Sequence, residues 1–348
     1  MKRFSLKVSE AMHKSIRQLA SQQKAINTLI DDFSKGELQP HNEPKNGKLS
    51  QQISFKLEDQ QIEDLLKKAK LSDSRQMLKL LRSLLAAYIK VNSPLNFLRG
   101  LDNDLAEILK KRIRDEWTHD STSIEGNTLS LGETSFILNE GLTISGKSLR
   151  EHDEIAGHAR AIEAIYQIYD REQLDEDDLF LVHRAMMINP AFDIYKPVGA
   201  WKKEDNGAYW GREYILYPSP QKTPHLMNLW LHEFNQIPRD LNLPEMLKAY
   251  SRLHILFTCI HPFFDGNGRM ARLLANIPII RAGYPPITID SEKRFDYLEM
   301  MRQFHLLKDD ALDFSGDLKS FSDLIYSQWK KTLNIVEEVK AIQEQREK

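Results

Sequence analysis

The sequence predicts a mainly α-helical protein with one β-hairpin and a small module of different character at its N-terminus. Three observations carry this. Beyond about residue 95, apolar residues recur at helical spacing around 130–140, 152–170, 175–188, 223–236 and 244–260, with further helix after Gly268 and from about 293. Between 197 and 220 that period breaks. There Gly199, Gly207, Gly211, Pro218 and Pro220 punctuate short apolar segments such as Tyr214 to Tyr217, the pattern of a hairpin. Finally, the first 94 residues carry one strand–helix–helix pattern twice.

Composition narrows the function classes. The 348 residues suffice for two to three domains, and 41% hydrophobic with 28% charged residues reads as globular rather than disordered. The single cysteine, Cys259, cannot form an intrachain disulfide. No apolar run approaches the ~20 residues needed to span a bilayer, and the first residues lack the apolar core of a signal peptide. A cytoplasmic protein without a membrane partner is the expectation. The net charge of -2 hides an asymmetry: residues 1–94 hold 17 Lys+Arg against 10 Asp+Glu, and the remainder holds 31 against 40. A basic end on an acidic body suits an anionic partner for the first segment.

Within that basic segment, residues 34–50 are rich in Pro, Gly and polar residues and read as a linker. On either side, Arg3 to Val8 aligns with Gln52 to Leu57 at an offset of 49. Both stretches alternate polar and apolar, which predicts half-buried strands. Phe4, Leu6, Val8, Ile53, Phe55 and Leu57 face inward, and Arg3, Ser5, Lys7, Gln52, Ser54 and Lys56 face outward. Helical spacing follows each strand: Met12, Ile16, Leu19 and Ala20, then Ile26, Leu29, Ile30 and Phe33; and Ile62, Leu65, Leu66 and Ala69, then Met77, Leu78, Leu81, Leu84 and Leu85. The doubled unit resembles the ribbon-helix-helix family of DNA-binding proteins, normally dimers whose two strands pair into one antiparallel ribbon. That resemblance implies DNA as a partner, with the six outward residues reading base edges in the major groove. Two amphipathic units of this kind also suit a dimerisation or docking module.

The chemistry concentrates in His261 to Arg272, a polar, Gly-rich stretch between two apolar helical runs. Burying His, Asp, Asn and two Arg there without partners would cost several kcal/mol. Small residues entering a helix make an anion site: Gly266 and Gly268 permit positive φ and turn N–H groups toward a phosphate. Arg269 and Arg272, three apart, share a helix face and can clamp phosphate oxygens. Asp265 is a hard oxygen ligand suited to Mg²⁺ bridging phosphates, and His261 can accept a proton from an attacking hydroxyl. These are the parts for moving a phosphorus-bearing group from a Mg-nucleotide, and no Walker A pattern is present.

The twelve residues match the Fic-family motif, His-x-Phe-x-Asp/Glu-Gly-Asn-Gly-Arg-x-x-Arg, at every fixed position, and the resemblance extends over roughly residues 95–330. It implies an all-helical Fic domain with a β-hairpin flap, and a protein adenylyltransferase that moves AMP from ATP to a hydroxyl side chain of a target protein and of itself. His261 would be the base, Asp265 the Mg²⁺ ligand, and Gly266, Asn267, Gly268 and Arg269 the phosphate cradle. Arg272 would hold the γ-phosphate and Tyr297 would line the nucleoside pocket, although a packed core tyrosine fits Tyr297 nearly as well. Upstream, Ser121 to Asn127 resembles the family's inhibitory motif, on a helix near 115–125. Ser121 and Glu125 are i,i+4 on one helix face, and Gly126 is a good terminator. The resemblance implies that Glu125 pairs with Arg272, producing autoinhibition without a separate antitoxin. Some relatives remove AMP with the same Glu, and relatives often pair as homodimers.

Gly199 to Lys202 resembles the start of the family flap, with Lys202 standing where Arg is usual, and the stretch from Asp205 to Arg212 is enlarged. His183 is assigned to packing. Glu154 and His158 have metal-helix spacing but read as an ordinary charged face; the pairs His225/His232 and His254/His261 are seven apart, not four. Residues 331–348 form a charged C-terminal helix with Leu333, Val336 and Val339 as a thin apolar stripe, expected to pack weakly. The alternative function is a DNA-binding transcriptional regulator, or a toxin–antitoxin-like one, in which residues 1–94 do the primary work.

Overall fold

The computed structural model describes residues 2–8, 12–13, 16, 22–40, 51–92, 95–189, 193–210, 212–239, 241–308 and 310–348. The expected helix positions Leu19 and Ala20, linker residues 41–50, residues 93–94 and Gly211 lie outside the described residues. In chain order the first elements are β1 (Lys2–Val8), α1 (Gln22–Lys35), β2 (Gln51–Leu57), α2 (Asp59–Lys68), α3 (Ser74–Asn92) and α4 (Asn103–Ile124). Next come α5 (Leu131–Glu140), α6 (Leu149–Ile168), α7 (Glu176–Met186), β3 (Gly207–Trp210) and β4 (Glu213–Leu216). The remainder is α8 (Thr223–Asn235), α9 (Leu243–Ile260), α10 (Asn267–Leu274), α11 (Ile277–Arg281), α12 (Arg294–Met301) and α13 (Leu318–Glu347). Two compact units form: Met1–Lys111 with Val336–Lys348, and Arg112–Ile335.

In the first unit β1 and β2 pair antiparallel, with Ser5 opposite Ser54 and Phe4 opposite Phe55. Ser5 and Ser54 are the residues that the 49-residue offset makes equivalent, so the ribbon has an internal two-fold relation. Alternation decides the faces: Leu6, Val8, Ile53, Phe55 and Leu57 are buried with Ile26, Leu29, Leu81 and Leu84 from the helices. Phe4 is half-buried and stacks on Phe55. Arg3, Ser5, Lys7, Gln52, Ser54 and Lys56 form the exposed row. The C-terminal end of α13 is held by charge and amide contacts: Lys90 to Glu347 at 2.6 Å, Arg346 to Asp104 at 2.9 Å, and the Asp102 N–H donating to Gln343.

The second unit is helical apart from the β3–β4 hairpin, where Tyr209 pairs with Tyr214, and the isolated bridge Leu306–Phe314. Capping boxes fix the starts of α5, α6, α7 and α9 through Ser130, Ser148, Asp175 and Asn242. The core joins Trp117, Trp230, Tyr250, Phe257, Phe263 and Phe321, all fully buried. Two expectations are corrected here. His158 is not on a charged face: α6 turns it inward with Ile155 and Ile162, edge-on to Trp117, because small residues at Gly157, Ala161 and Ala164 admit the helix to the core. The C-terminal helix does not pack weakly. Within 331–348, Ile335, Val336 and Val339 are buried, and the helix, which begins at Leu318, is also pinned where the Trp329 indole donates to the Pro285 carbonyl at 2.9 Å. No described helix is long and apolar enough to cross a membrane.

Candidate active site

Helix α9 is apolar on nearly every side and ends at His261. His261 takes the left-handed conformation, φ 52°, which turns the chain out of the helix while its N–H still donates to Phe257 O at 2.9 Å. Its Nδ1 faces the Thr258 carbonyl at 3.2 Å. A carbonyl only accepts, so Nδ1 carries the proton and Nε2 keeps the lone pair. Burial lowers the imidazole's pKa to about 4, with nearby Lys202 acting in the same sense against the Thr258 carbonyl, Glu125 and Asp265. The imidazole is therefore neutral, and its Nε2 can accept a proton, at ordinary pH. The Tyr217 ring lies parallel to the imidazole with centroids 3.8 Å apart.

The loop then folds on itself. Asn267 accepts from the Phe263 N–H and donates to the Phe263 carbonyl, at 2.9 and 2.8 Å, so its side chain closes the loop. Gly266 has φ 79°, as expected, and a side chain there would strike Met186. Gly268 is different: it sits in the first turn of α10 without positive φ. Its requirement is space, since a Cβ would stand 2.5 Å from the Glu125 carboxylate.

Arg272 is buried and held on every side. Its Nε donates to the Ser121 hydroxyl and one terminal nitrogen to the Ser121 carbonyl, both at 2.9 Å. That nitrogen also reaches Glu125 Oε1 at 2.6 Å, and the other contacts the Tyr297 hydroxyl at 3.4 Å. Burial works against the Glu125 charge, but Arg272 outweighs it and holds the carboxyl below its ordinary pKa. Burial likewise opposes the Arg272 charge, and Glu125 overcomes it. Glu125 follows the last residue of α4, whose end is fixed by Arg294 donating to Ile124 O at 2.7 Å.

One cavity of about 1000 Å³ is lined by His261, Gly268, Arg272, Glu125, Tyr297 and the flap residues Tyr214 to Ser219. Asp265 and Arg269 line a neighbouring hollow of about 580 Å³ instead, with His183, Lys196 and Arg150. Arg269 is 6% exposed, 3.5 Å from Asp265, and its Nε lacks a hydrogen-bond partner among the described residues. The Asp265 carboxylate is 53% exposed.

Residues 173–279 match the Fic/DOC family. That match spans 107 of the 348 residues. Protein adenylyltransferase fic-1 of Caenorhabditis briggsae is 30% identical over 244 residues, which cover 65% of this chain and 43% of the relative. Protein adenylyltransferase Fic of Drosophila persimilis is 31% identical over 227 residues, covering 65% of this chain and 41% of the relative. The chain thus spans less than half the length of these curated relatives. Among solved structures, a Fic domain containing signaling protein from Bacteroides thetaiotaomicron superposes with a TM-score of 0.61 at 27% identity, covering 72% of this chain and 96% of that one. Fic-1 of C. elegans shares the fold, with a TM-score of 0.54 at 22% identity over 80% of this chain and 82% of that one.

The Fic/DOC segment thus contains α7, the flap, α8, α9, the loop and α10, while Ser121, Glu125 and Tyr297 lie outside it. Three polar residues of this Fic site escape sequence reasoning. His183, assigned to packing, accepts from the Gly199 N–H at 2.9 Å and faces the Asp265 carbonyl at 3.1 Å, so it bridges the start of the flap to the loop. It also stacks on Phe263. Burial keeps it neutral, with a pKa near 4. His254 faces the Tyr297 hydroxyl at 3.0 Å, which makes it the third member of a chain running Arg272, Tyr297, His254. Its signal was the seven-residue spacing to His261, two helical turns on one face. Lys202, 2% exposed, donates to Asn206 at 2.6 Å, and burial lowers its pKa to about 8. Tyr297 is 2% exposed yet lines the cavity, so it is both packed and part of the site.

Proposed function

We propose that this chain transfers AMP from ATP to a hydroxyl side chain of a target protein, and of itself, and that it rests autoinhibited. The observation that carries the reading is the clasp of Arg272 by Ser121 and Glu125 beside a loop that presents a neutral His261. The relatives' name, protein adenylyltransferase, agrees with it. His261 Nε2 takes the proton of the target hydroxyl as its oxygen bonds to the α-phosphorus. The bond from that phosphorus to the β-phosphate bridge breaks, and pyrophosphate leaves. The backbone N–H groups at the start of α10, with Arg269, face the phosphates. Arg272 pairs with the γ-phosphate once Glu125 withdraws.

The donor set fits Mg²⁺. Asp265 offers one hard, half-exposed carboxylate, and an ion that keeps its waters and takes its other ligands from substrate phosphates needs no more. Asp265 would hold such an ion, with Arg269 balancing the carboxylate, and the ion would supply charge neutralisation at the phosphates. The flap, with Tyr209, Tyr214 and Leu216 exposed, offers its edge to an extended target segment. The test is incubation of the full chain and its Glu125→Gly variant with labelled ATP and Mg²⁺, followed by mass spectrometry. Label and one AMP mass on protein are expected. Their absence from both proteins, with any added acceptor, defeats the reading.

For residues 1–94 a second reading, DNA binding, has one observation in its favour: the exposed row of the antiparallel ribbon is Arg3, Ser5, Lys7, Gln52, Ser54 and Lys56. Gln52 donates to Ser5 across the strands, which leaves Arg3, Lys7 and Lys56 as the freest donors of the row. Selection of duplexes from a random pool by the full chain tests it. Enrichment of one sequence, lost on changing Arg3, Lys7 and Lys56 to Ala, supports base reading, and no enrichment at moderate salt leaves the docking role.

A further inference from the structure

We infer that Tyr217 is a positioning residue for the base: its ring is the plate that orients the His261 imidazole toward the attacking hydroxyl. This rests on the transfer reading above for its catalytic meaning, but not for its geometry. The hydrogen bond from Nδ1 to Thr258 O, at 3.2 Å, fixes one edge of the imidazole and leaves rotation about that edge unopposed. A parallel ring 3.8 Å away, tilted by 1°, removes the rotation, because turning the imidazole would drive it into the phenol face. Among the described residues no other aromatic ring stacks on His261.

The plate is hung from the same backbone that carries the base. The Tyr217 N–H donates to the Asn206 carbonyl at 3.0 Å. The Asn206 amide donates to Phe263 O at 2.9 Å and approaches His261 O at 3.4 Å. Lys202 in turn donates to the Asn206 side chain at 2.6 Å and approaches Ile260 O at 3.4 Å, while its N–H donates to Pro262 O at 2.9 Å. Residues 260–263 and Tyr217 therefore move as one piece. Burying a lysine is costly in itself, and here the cost is offset because the Lys202 ammonium ties the flap to the loop. Tyr217 immediately follows β4, so the flap strand that would meet a target is continuous with the plate. The charged groups acting on His261 from its surroundings are Lys202, Glu125 and Asp265.

The experiment compares Tyr217→Phe and Tyr217→Leu in the full chain by two readouts. In ¹⁵N-labelled protein the wild-type His261 ring should show one tautomer, with the proton on Nδ1. Tyr217→Phe should keep that signature. In Tyr217→Leu the unsupported imidazole swings off the Thr258 carbonyl, which releases the tautomer and should give averaged ring-nitrogen shifts. In the Glu125→Gly background, Tyr217→Leu should lower kcat about tenfold or more with KM for ATP within about twofold, and Tyr217→Phe should restore most of the rate. A Tyr217→Leu protein with unchanged ring shifts overturns the inference. So does a Tyr217→Phe protein that falls as far as Tyr217→Leu, because the hydroxyl rather than the ring face would then matter. If the Glu125→Gly background itself transfers no AMP, the functional reading fails, and the ring shifts still decide the positioning.

Discussion

On the proposed reading, replacing Glu125 by Gly should raise AMP transfer, and the structure sets the size of the gain. Two obstacles disappear together. The first is the contact from Glu125 Oε1 to Arg272, at 2.6 Å. A hydrogen bond between charged groups is worth about 1.5–3 kcal/mol, and this carboxylate is 41% exposed, so the lower end of that range applies. About 1.5–2 kcal/mol corresponds to roughly a 10–30-fold rise in the fraction of molecules with Arg272 available. The second is space: the carboxylate stands against Gly268, at the start of α10, which on the proposed reading faces the phosphates. The assay is the initial rate of AMP incorporation at fixed ATP, with ATP affinity measured separately. Glu125→Gln should give a smaller gain, because the amide keeps one hydrogen bond to Arg272 but loses the charge. Adding Arg272→Ala to Glu125→Gly should abolish most of the gain. Arg272 keeps Ser121 and Tyr297 as partners, so the thermal midpoint should fall only by several degrees, about 2–4 °C per kcal/mol lost. An unchanged or lower rate in Glu125→Gly, with ATP still bound, would refute the reasoning.

His261→Ala should lower transfer by about 10²–10⁴ while leaving ATP affinity nearly intact, since the imidazole acts on the hydroxyl; calorimetry beside the rate assay checks both halves. Arg294→Ala removes the donor that fixes the Ile124 carbonyl, so Glu125 should be held less firmly and the resting rate should rise severalfold, by less than in Glu125→Gly. Stability should fall with acid earlier than carboxylates alone require. Burial lowers His183 and His261 to about 4 and His254 to about 3, against about 6.5 in the unfolded chain. Below pH 6.5 the unfolded state binds protons that the native state refuses, at up to about 1.4 kcal/mol per histidine per pH unit. Denaturant midpoints should therefore drop more between pH 6.5 and 5.5 than between 7.5 and 6.5, and equal drops would count against neutral buried imidazoles.

Period and spacing alone determined the helices, the hairpin, the inward and outward faces of the ribbon and the stretch from His261 to Arg272. These are local matters: a repeat of two or 3.6 residues declares which side is buried wherever it recurs. The placement of Ser121 and Glu125 on one helix face was also local, and both do reach Arg272, 151 and 147 residues later. What spacing could not supply was any choice made by packing between distant elements. Asn267 reads like a ligand and closes its own loop; Gly268 reads like a turn and is a gap kept for Glu125. His158 reads as surface and is core, because its helix enters the interior on small residues whose value depends on what lies opposite. His183, His254 and Tyr217 have no site role by spacing, and Lys202 stands only as a departure from the flap pattern. Each acquires its role from a partner far along the chain, at Asp265, Tyr297, Ile260 or His261, where removal from water makes a single hydrogen bond or stacked ring decisive.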